Sequence, residues 1–347
     1  KQWFPADWIS ESFPGQFRNW FYSLLTMSTV LENSEPFKCV FSYALMRDEK
    51  GEEMHKSKGN AIWFEEAAEK MGVDAMRWVY ARQNPAANLN FGYGVSDEIR
   101  RQFLIPLWNV YSFFITYANI DQYDPTKVSP PPMKDRTELD RWIVSELHTV
   151  ISEVRDALDS YSSERATRRV EEFVEFLSNW YVRRSRRRFW KSENDEDKVA
   201  AHATLYECLT TLVKLVAPIM PFLAENMYQN LIRSTGTGKE SVHLDDYPIA
   251  DTTLIDQELS DAIRLAMRLS SLGRAARSKL GVKVRQPLPR IFVKLRTIEE
   301  LALLDQIQPQ ILDELNLREF VSLQDVSEVA EFTILPNLAV LGPKYGS

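Results

Sequence analysis

Gly51-Glu52-Glu53-Met54-His55-Lys56-Ser57-Lys58-Gly59-Asn60 is the stretch on which the reading of this chain turns. Upstream, residues 37–46 form an apolar run with the length and the β-branched and aromatic content of a buried strand. Asp48-Glu49-Lys50-Gly51 then supplies turn chemistry, Gly51 being free to adopt positive φ. After Asn60 the apolar spacing becomes helical, through Ile62, Phe64, Ala67, Ala68 and Met71, with Gly72 placed to cap the helix end. Two lysines, a serine and a glycine therefore sit on a mobile loop between a strand end and a helix start. Ligands gather at such places in open α/β sheets. Two ammonium groups there suit a polyphosphate, and the competing reading is a solvated lysine loop.

Working outward, 347 residues allow two or three domains. The apolar and charged fractions are those of a soluble globular protein, and no run approaches the length of a membrane span. Cys39 and Cys208 both lie in apolar surroundings and read as free buried thiols, which suits a reducing, cytoplasmic compartment. The four histidines are scattered, and no Cys/His spacing points to a structural metal. A net charge of −7 argues against indiscriminate nucleic-acid binding and leaves room for a local basic face. Lys1 opens the chain in mid-pattern, so an excerpt of a longer polypeptide is expected.

Upstream of the loop come Pro5-Ala6-Asp7, then Glu11, Gln16, Arg18 and Trp20-Phe21-Tyr22, with Phe21, Leu24, Leu25, Ser28 and Leu31 on one helical stripe. Taken alone, Trp20 reads as core and Glu11 as a surface carboxylate. Downstream, Asp74 is placed to cap a helix beginning Val73-Asp74-Ala75-Met76-Arg77-Trp78. Residues 83–94 are turn-rich and close the first domain. From Ser96, a candidate cap, to Arg233 the pattern is helical throughout. Pro106 predicts a kink, Ser129-Pro130-Pro131-Pro132 a stiff linker, and helices follow over 139–158, 163–190, 197–215 and 221–233. Five helices with short connections make a bundle.

The helix over 163–190 buries Ala166, Val170, Phe173, Leu177 and Trp180, and ends Arg183-Arg184-Ser185-Arg186-Arg187-Arg188-Phe189-Trp190-Lys191. Residues 161–191 hold nine Lys/Arg against four Glu, so +5 lies here and −12 elsewhere. A helix C-terminus welcomes cations, but this run exceeds what a helix dipole needs. Guanidiniums interleaved with aromatics suit phosphate contact and base stacking. Ser241-Val242-His243-Leu244-Asp245-Asp246-Tyr247-Pro248 and Val282-Lys283-Val284-Arg285-Gln286-Pro287-Leu288 flank a long helix over 254–279. Strands over 291–295, 320–323 and 331–335 and helices over 298–305 and 308–315 complete a small α+β region.

Residues 53–57 resemble the Lys-Met-Ser-Lys-Ser signature loop of class I aminoacyl-tRNA synthetases, with Gly59-Asn60 continuing the likeness. The other strings are similar to those of isoleucyl-type members, so the resemblance covers nearly the whole chain. It implies a mostly α chain in three parts. Residues 1–94 form the C-terminal part of a Rossmann-like nucleotide-binding domain, 95–240 a helical anticodon-binding bundle, and 241–347 a helix with a truncated α+β domain. It implies amino-acid activation with ATP and Mg²⁺, although no residue here is an obvious metal ligand, followed by transfer to tRNA. Lys56 would be catalytic on ATP. Glu11, Gln16, Lys56, Ser57 and Lys58 would bind ATP or the adenylate, and Trp20 would line the amino-acid pocket. Trp180, Arg183, Arg184, Arg186, Arg187, Arg188 and Trp190 would bind tRNA. The sequence departs from the pattern at Glu53 (family Lys), His55 (family Ser) and Gly15 (family Asp), and the step from Glu11 to Trp20 is one residue longer. A valyl- or leucyl-specific relative and a non-catalytic tRNA-binding homologue are the alternatives. The family's His-Ile-Gly-His string is missing from this stretch, which by itself is therefore expected to be inactive.

Overall fold

The computed structural model describes residues 2–12, 19–190, 195–325 and 329. They belong to two compact units, Lys1–Ile255 and Asp256–Ser347. The first opens with strand β1 (Ile9–Ser12), helix α1 (Trp20–Glu32) and strand β2 (Val40–Tyr43). β1 and β2 pair in parallel, Ile9 opposite Val40 and Ser12 opposite Tyr43, with α1 as their crossover. The run 37–46 is not one buried strand. After Tyr43 the Ala44 amide turns to the Pro85 carbonyl at 2.8 Å, and the chain re-enters as β3 (Met46–Arg47) beside β4 (Leu89–Asn90). Each strand has one neighbour among the described residues, so Val40 and Tyr43 stay exposed and Cys39 is only half-buried.

Helix α2 (Phe64–Met71) buries Ala67 and Met71 and stops at Gly72, whose φ of 84° lets α3 (Val73–Arg82) start immediately. Gly72 thus takes the cap position expected of Asp74. α4 (Tyr93–Ile99) runs through a π-helical turn, Arg100–Leu104, into α5 (Ile105–Ile120). Ser96 lies inside α4 and is buried, so it is not the cap. Pro106 sits at the head of α5. Its missing N–H is absorbed by the π turn just before it.

The bundle continues with α6 (Glu138–Asp159), α7 (Ser163–Phe176), a second π turn (Leu177–Val182), α8 (Arg183–Trp190), α9 (Glu196–Val216) and α10 (Pro221–Leu231). Thr137 caps α6 and Asp195 caps α9, each accepting from a backbone N–H three residues on. The stripe Ala166, Val170, Phe173, Leu177 and Trp180 is buried, as are Trp142 and Leu147 on α6 and Leu209 on α9. Contrary to the composition-based expectation, two helical stretches, Tyr93–Ile120 and Glu196–Val216, are long and apolar enough to cross a membrane. Phe103, Leu107 and Phe114 of the first and Leu205, Leu209 and Leu212 of the second lie in the core of the unit.

The second unit packs α11 (Gln257–Lys279) against α13 (Leu304–Leu315), with α12 (Ile298–Ala302) between β5 (Leu288–Val293) and α13. β6 (Leu317–Ser322) pairs in parallel with β5. The two long helices approach closely at Gly273, where a Cβ would meet Leu315 Cδ1 at 2.3 Å. The strand expected over 331–335 lies outside the described residues.

Candidate functional site

Lys56-Ser57-Lys58 form one 3₁₀ turn that closes at Gly59, with φ 71°. What fixes the turn is Asn60. Its Oδ1 accepts from the His55 amide at 2.9 Å, and its Nδ2 donates to Asp48 Oδ2 at 2.9 Å and to the Glu53 carbonyl at 3.1 Å. Asp48 in turn accepts from the Lys50 and Glu52 amides, closing the preceding turn. The Asn60 amide first, then the Glu52 N–H, holds the Asp48 carboxyl below the usual carboxylate range. One amide side chain therefore joins both ends of the lysine loop. Beside it, the Glu49 carboxylate accepts from the Gly94 amide. It lies so close to Gly92 that a Cβ there would meet Glu49 Cγ at 2.1 Å. Only glycine leaves room for this tether between the loop's base and the start of α4.

Lys56 Nζ lies 4.5 Å from the centroid of the Trp63 ring, a cation–π contact on a half-exposed indole. Lys58 lines a shallow cavity of about 340 Å³ together with Asp48, Glu52, Asn60 and Tyr93. The two departures within the loop meet each other, since His55 Nε2 lies 3.3 Å from Glu53 Oε2, with Arg47 Nη2 3.7 Å from the other Glu53 oxygen. Both groups are solvent-exposed, so the pairing shapes the loop more than it stabilises the fold.

Glu11 sits near the carboxyl end of β1 and accepts from the Ser12 amide at 2.8 Å. Trp20 is the first residue of α1, 40% exposed and against Phe21. Gln16 and Arg18 lie outside the described residues. A cavity of about 710 Å³ lies between the strands, α3 and the bundle and is lined by Ser10, Phe41, Tyr43, Arg77, Tyr80 and Ile219 among others. None of the sequence-predicted site residues lines it.

Helix α3 joins the loop region to the bundle. Trp78 Nε1 and Arg82 Nε donate to the two oxygens of Glu171 on α7, at 2.8 and 3.1 Å. Arg77 donates to the Pro218 and Ile219 carbonyls. The Asp74 carboxylate accepts from the Phe222 and Leu223 amides at the start of α10. Asp74 is thus a cap, but of a helix about 150 residues away in sequence. The sequence reading gave no site role to Asp48, Glu49, Asn60 or Trp63; Asp48 and Glu49 were visible only as turn residues, and Asn60 as the end of the signature string.

The arginine-rich segment divides. Arg186, Arg187 and Trp190 are exposed, and Trp190 at 58% offers an indole face to solvent. Arg183 and Arg184 stack on Trp180, at 5.7 and 5.1 Å from its ring centroid. Trp180 itself is 3% exposed and cannot stack a base. Arg188 also departs from the surface role. It donates through two nitrogens to Asp140 at 2.8 and 2.6 Å and to Asp197 at 2.9 Å, while Tyr181 donates to the same fully buried Asp140 at 2.6 Å. Burial pushes the Asp140 carboxyl up, but the hydrogen bonds and charge of Arg188 outweigh it and hold the group below the usual range.

Residues 1–92 match the family model described as tRNA synthetases class I (I, L, M and V), and residues 140–292 match that of the anticodon-binding domain of tRNA ligase. The chain belongs to the class I tRNA synthetases. Among its relatives, the isoleucine–tRNA ligase of Dehalococcoides mccartyi strain ATCC BAA-2266 is 49% identical over 91% of this chain and 31% of its own length. That of Thermus thermophilus is 44% identical over 99% of this chain and 33% of its own. The chain spans about a third of the length of the curated relatives it matches. Two solved synthetases share the fold. The Agrobacterium radiobacter K84 agnB2 LeuRS in a ternary complex with tRNA and LeuAMS superposes with a TM-score of 0.56 at 17% identity, covering 73% of this chain and 30% of its own. Mycobacterium tuberculosis methionyl-tRNA synthetase with methionyl-adenylate gives 0.55 at 18%, covering 70% and 51%. As to Mg²⁺, no three His, Cys, Asp or Glu side chains gather among the described residues.

Proposed function

We propose that the intact protein activates isoleucine with ATP and charges its tRNA in the cytoplasm, with this chain supplying the ATP loop and the anticodon-binding bundle. The observation that carries the reading is the Lys56–Lys58 turn, held by Asn60 to Asp48 at the edge of the nucleotide-binding half. In this reading Lys56 leaves Trp63 as ATP arrives and places its ammonium where charge develops on the departing pyrophosphate. Such electrostatic stabilisation needs no covalent chemistry from the lysine. Lys58 and Ser57 would hold the same phosphates, and Glu11 and Trp20 would hold the adenylate and the side-chain pocket. Mg²⁺ would neutralise phosphate charge, bound through the phosphates rather than through a cage of protein carboxylates. Arg183, Arg184, Arg186 and Arg187, with Trp190, would meet the RNA backbone and an unstacked base.

The test is isoleucine-dependent pyrophosphate exchange in the full-length protein. Lys56→Ala should slow it by about 10²-fold, roughly 3 kcal/mol of transition-state stabilisation, with little change in the KM for isoleucine. An unaltered rate returns the loop to a solvated one. Activation of valine or leucine in place of isoleucine moves the specificity to a relative, and no exchange with any amino acid favours a binding module. For the RNA face, Arg186→Ala with Arg187→Ala should weaken tRNA binding and shrink its salt slope by about two units, with Tm unmoved.

A further inference from the structure

Residues 262–298 carry ten Lys/Arg and no Asp or Glu, so the rest of the chain holds −17 of the net −7. This is a denser excess than that of the arginine-rich helix. Part of it is compensated inside the second unit. Arg268 pairs with Glu300, Arg274 with Glu314 and Arg290 with Glu319. Arg277 is different. It is 4% exposed and donates to four backbone carbonyls, Lys283 at 3.1 Å, Gln286 at 3.0 Å, Leu315 at 2.6 Å and Asn316 at 3.3 Å. Asn316 Nδ2 donates to the two carbonyls between, Val284 at 3.2 Å and Arg285 at 3.0 Å. Four consecutive carbonyls, 283 to 286, are therefore drawn inward onto one guanidinium and one amide.

Two consequences follow. The loop after α11 is held rigid, and its buried arginine is satisfied by neutral oxygens, so its positive charge is left uncancelled. Around it Lys279, Lys283 and Arg285 are all exposed, and none has an ion-pair partner among the described residues. The C-terminus of α11 accounts for Lys279, but Lys283 and Arg285 lie past the helix. Where the fold alone required cations nearby, it gave them carboxylates; here it drew peptide oxygens in and turned cations out. That is how a protein builds a surface for an anion.

We infer that the Gly281–Gln286 loop, with Lys279, Lys283 and Arg285 on a scaffold set by Arg277, is a second phosphate-contacting surface for RNA. The inference rests on the tRNA reading above and adds to it a contact in the other unit. Lys283→Ala with Arg285→Ala, made in the full-length protein, tests it through tRNA affinity at 50 and 200 mM salt. Each lost contact removes about 0.9 from the salt slope, so the fall in affinity across that fourfold range should shrink by about twelvefold. The KM for ATP should stay as it is. Binding and slope that match wild type, while Arg186→Ala with Arg187→Ala weakens both, overturn the loop and leave the tRNA reading standing. A wild-type protein that binds no tRNA overturns both. A raised KM for ATP with tRNA binding unchanged overturns the RNA assignment in favour of a free polyphosphate. If the alanine pair lowers Tm, Lys283→Gln with Arg285→Gln is read against the same criterion.

Discussion

Arg188→Ala removes the guanidinium that neutralises Asp140 and leaves a carboxylate with no accessible surface facing only Tyr181 and Thr137. Arg188 is itself 12% exposed and holds Asp140 through two short bonds. Breaking one side of such a pair costs about 3–5 kcal/mol. For a domain of this size each kcal/mol moves Tm by about 2–4 °C, so a drop of about 6–20 °C is expected. The pH dependence identifies the cause. In the wild type Asp140 has a lowered pKa, so its contribution is present above its unfolded value near pH 4 and is lost as pH falls through the folded value. In the variant the pairing is gone and burial remains, which raises the pKa above the unfolded value. The penalty is then full at neutral pH and is relieved as the carboxyl protonates. Thermal unfolding followed at pH 7 and pH 4 should show the gap between the two proteins closing on acidification. Binding of tRNA well below both transitions should be unchanged. A Tm drop under 2 °C at pH 7, together with weaker tRNA binding and a salt slope reduced by one unit, would refute this and return Arg188 to the RNA face.

Asn60→Ala should release the loop from Asp48 and slow pyrophosphate exchange by about tenfold through the loss of three hydrogen bonds, one of them to a carboxylate; a rate within twofold of wild type would show that the turn holds without it. Trp63→Leu removes the resting contact of Lys56, worth about 0.5–1 kcal/mol at an exposed site, and should lower the KM for ATP about two- to fivefold with the isoleucine KM unchanged. A higher ATP KM would mean that the indole serves the bound state. His202 is buried beside Asp121 and Lys198, and burial pushes its pKa down more than Asp121 raises it. Its neutral form therefore contributes stability above about pH 6.5 that is lost as pH falls through the folded value. His202→Gln should flatten that part of the Tm–pH curve, and an unchanged slope would place the acid sensitivity elsewhere.

The helices were legible because each announces itself locally. The stripe from Ala166 to Trp180 follows a 3.6-residue period, and Gly72 ends α2 where the periodicity stops. The loop was legible as a string, yet its mechanics were not, since Asp48 and Asn60 are twelve residues apart and meet only when the turn is built. Asp74 and Arg188 were misassigned for the same reason. Asp74 satisfies a helix start beside residue 222, and Arg188 a carboxylate 48 residues upstream. A cation in a basic run and a cation in a buried pair read alike until the partner is known. The strand over 37–46 was misread because burial depends on the layers beside it, which its own composition does not specify.

The π turn at Leu177–Val182 sets where the arginines point. Continued at the regular α period, the stripe through Phe173 and Leu177 would bring Arg184 and Arg188 to the centre of the core-facing side. Instead Ser185 and Phe189 are buried there. The wider turn holds one residue more than an α turn, which rotates everything beyond it by about 100° about the axis. Arg186 and Arg187 face water, and Arg188 reaches Asp140 from the flank. The outward aim of the comb is thus a matter of counting: closing the wide turn to the α period without removing a residue would carry Arg184 and Arg188 onto the core-facing side.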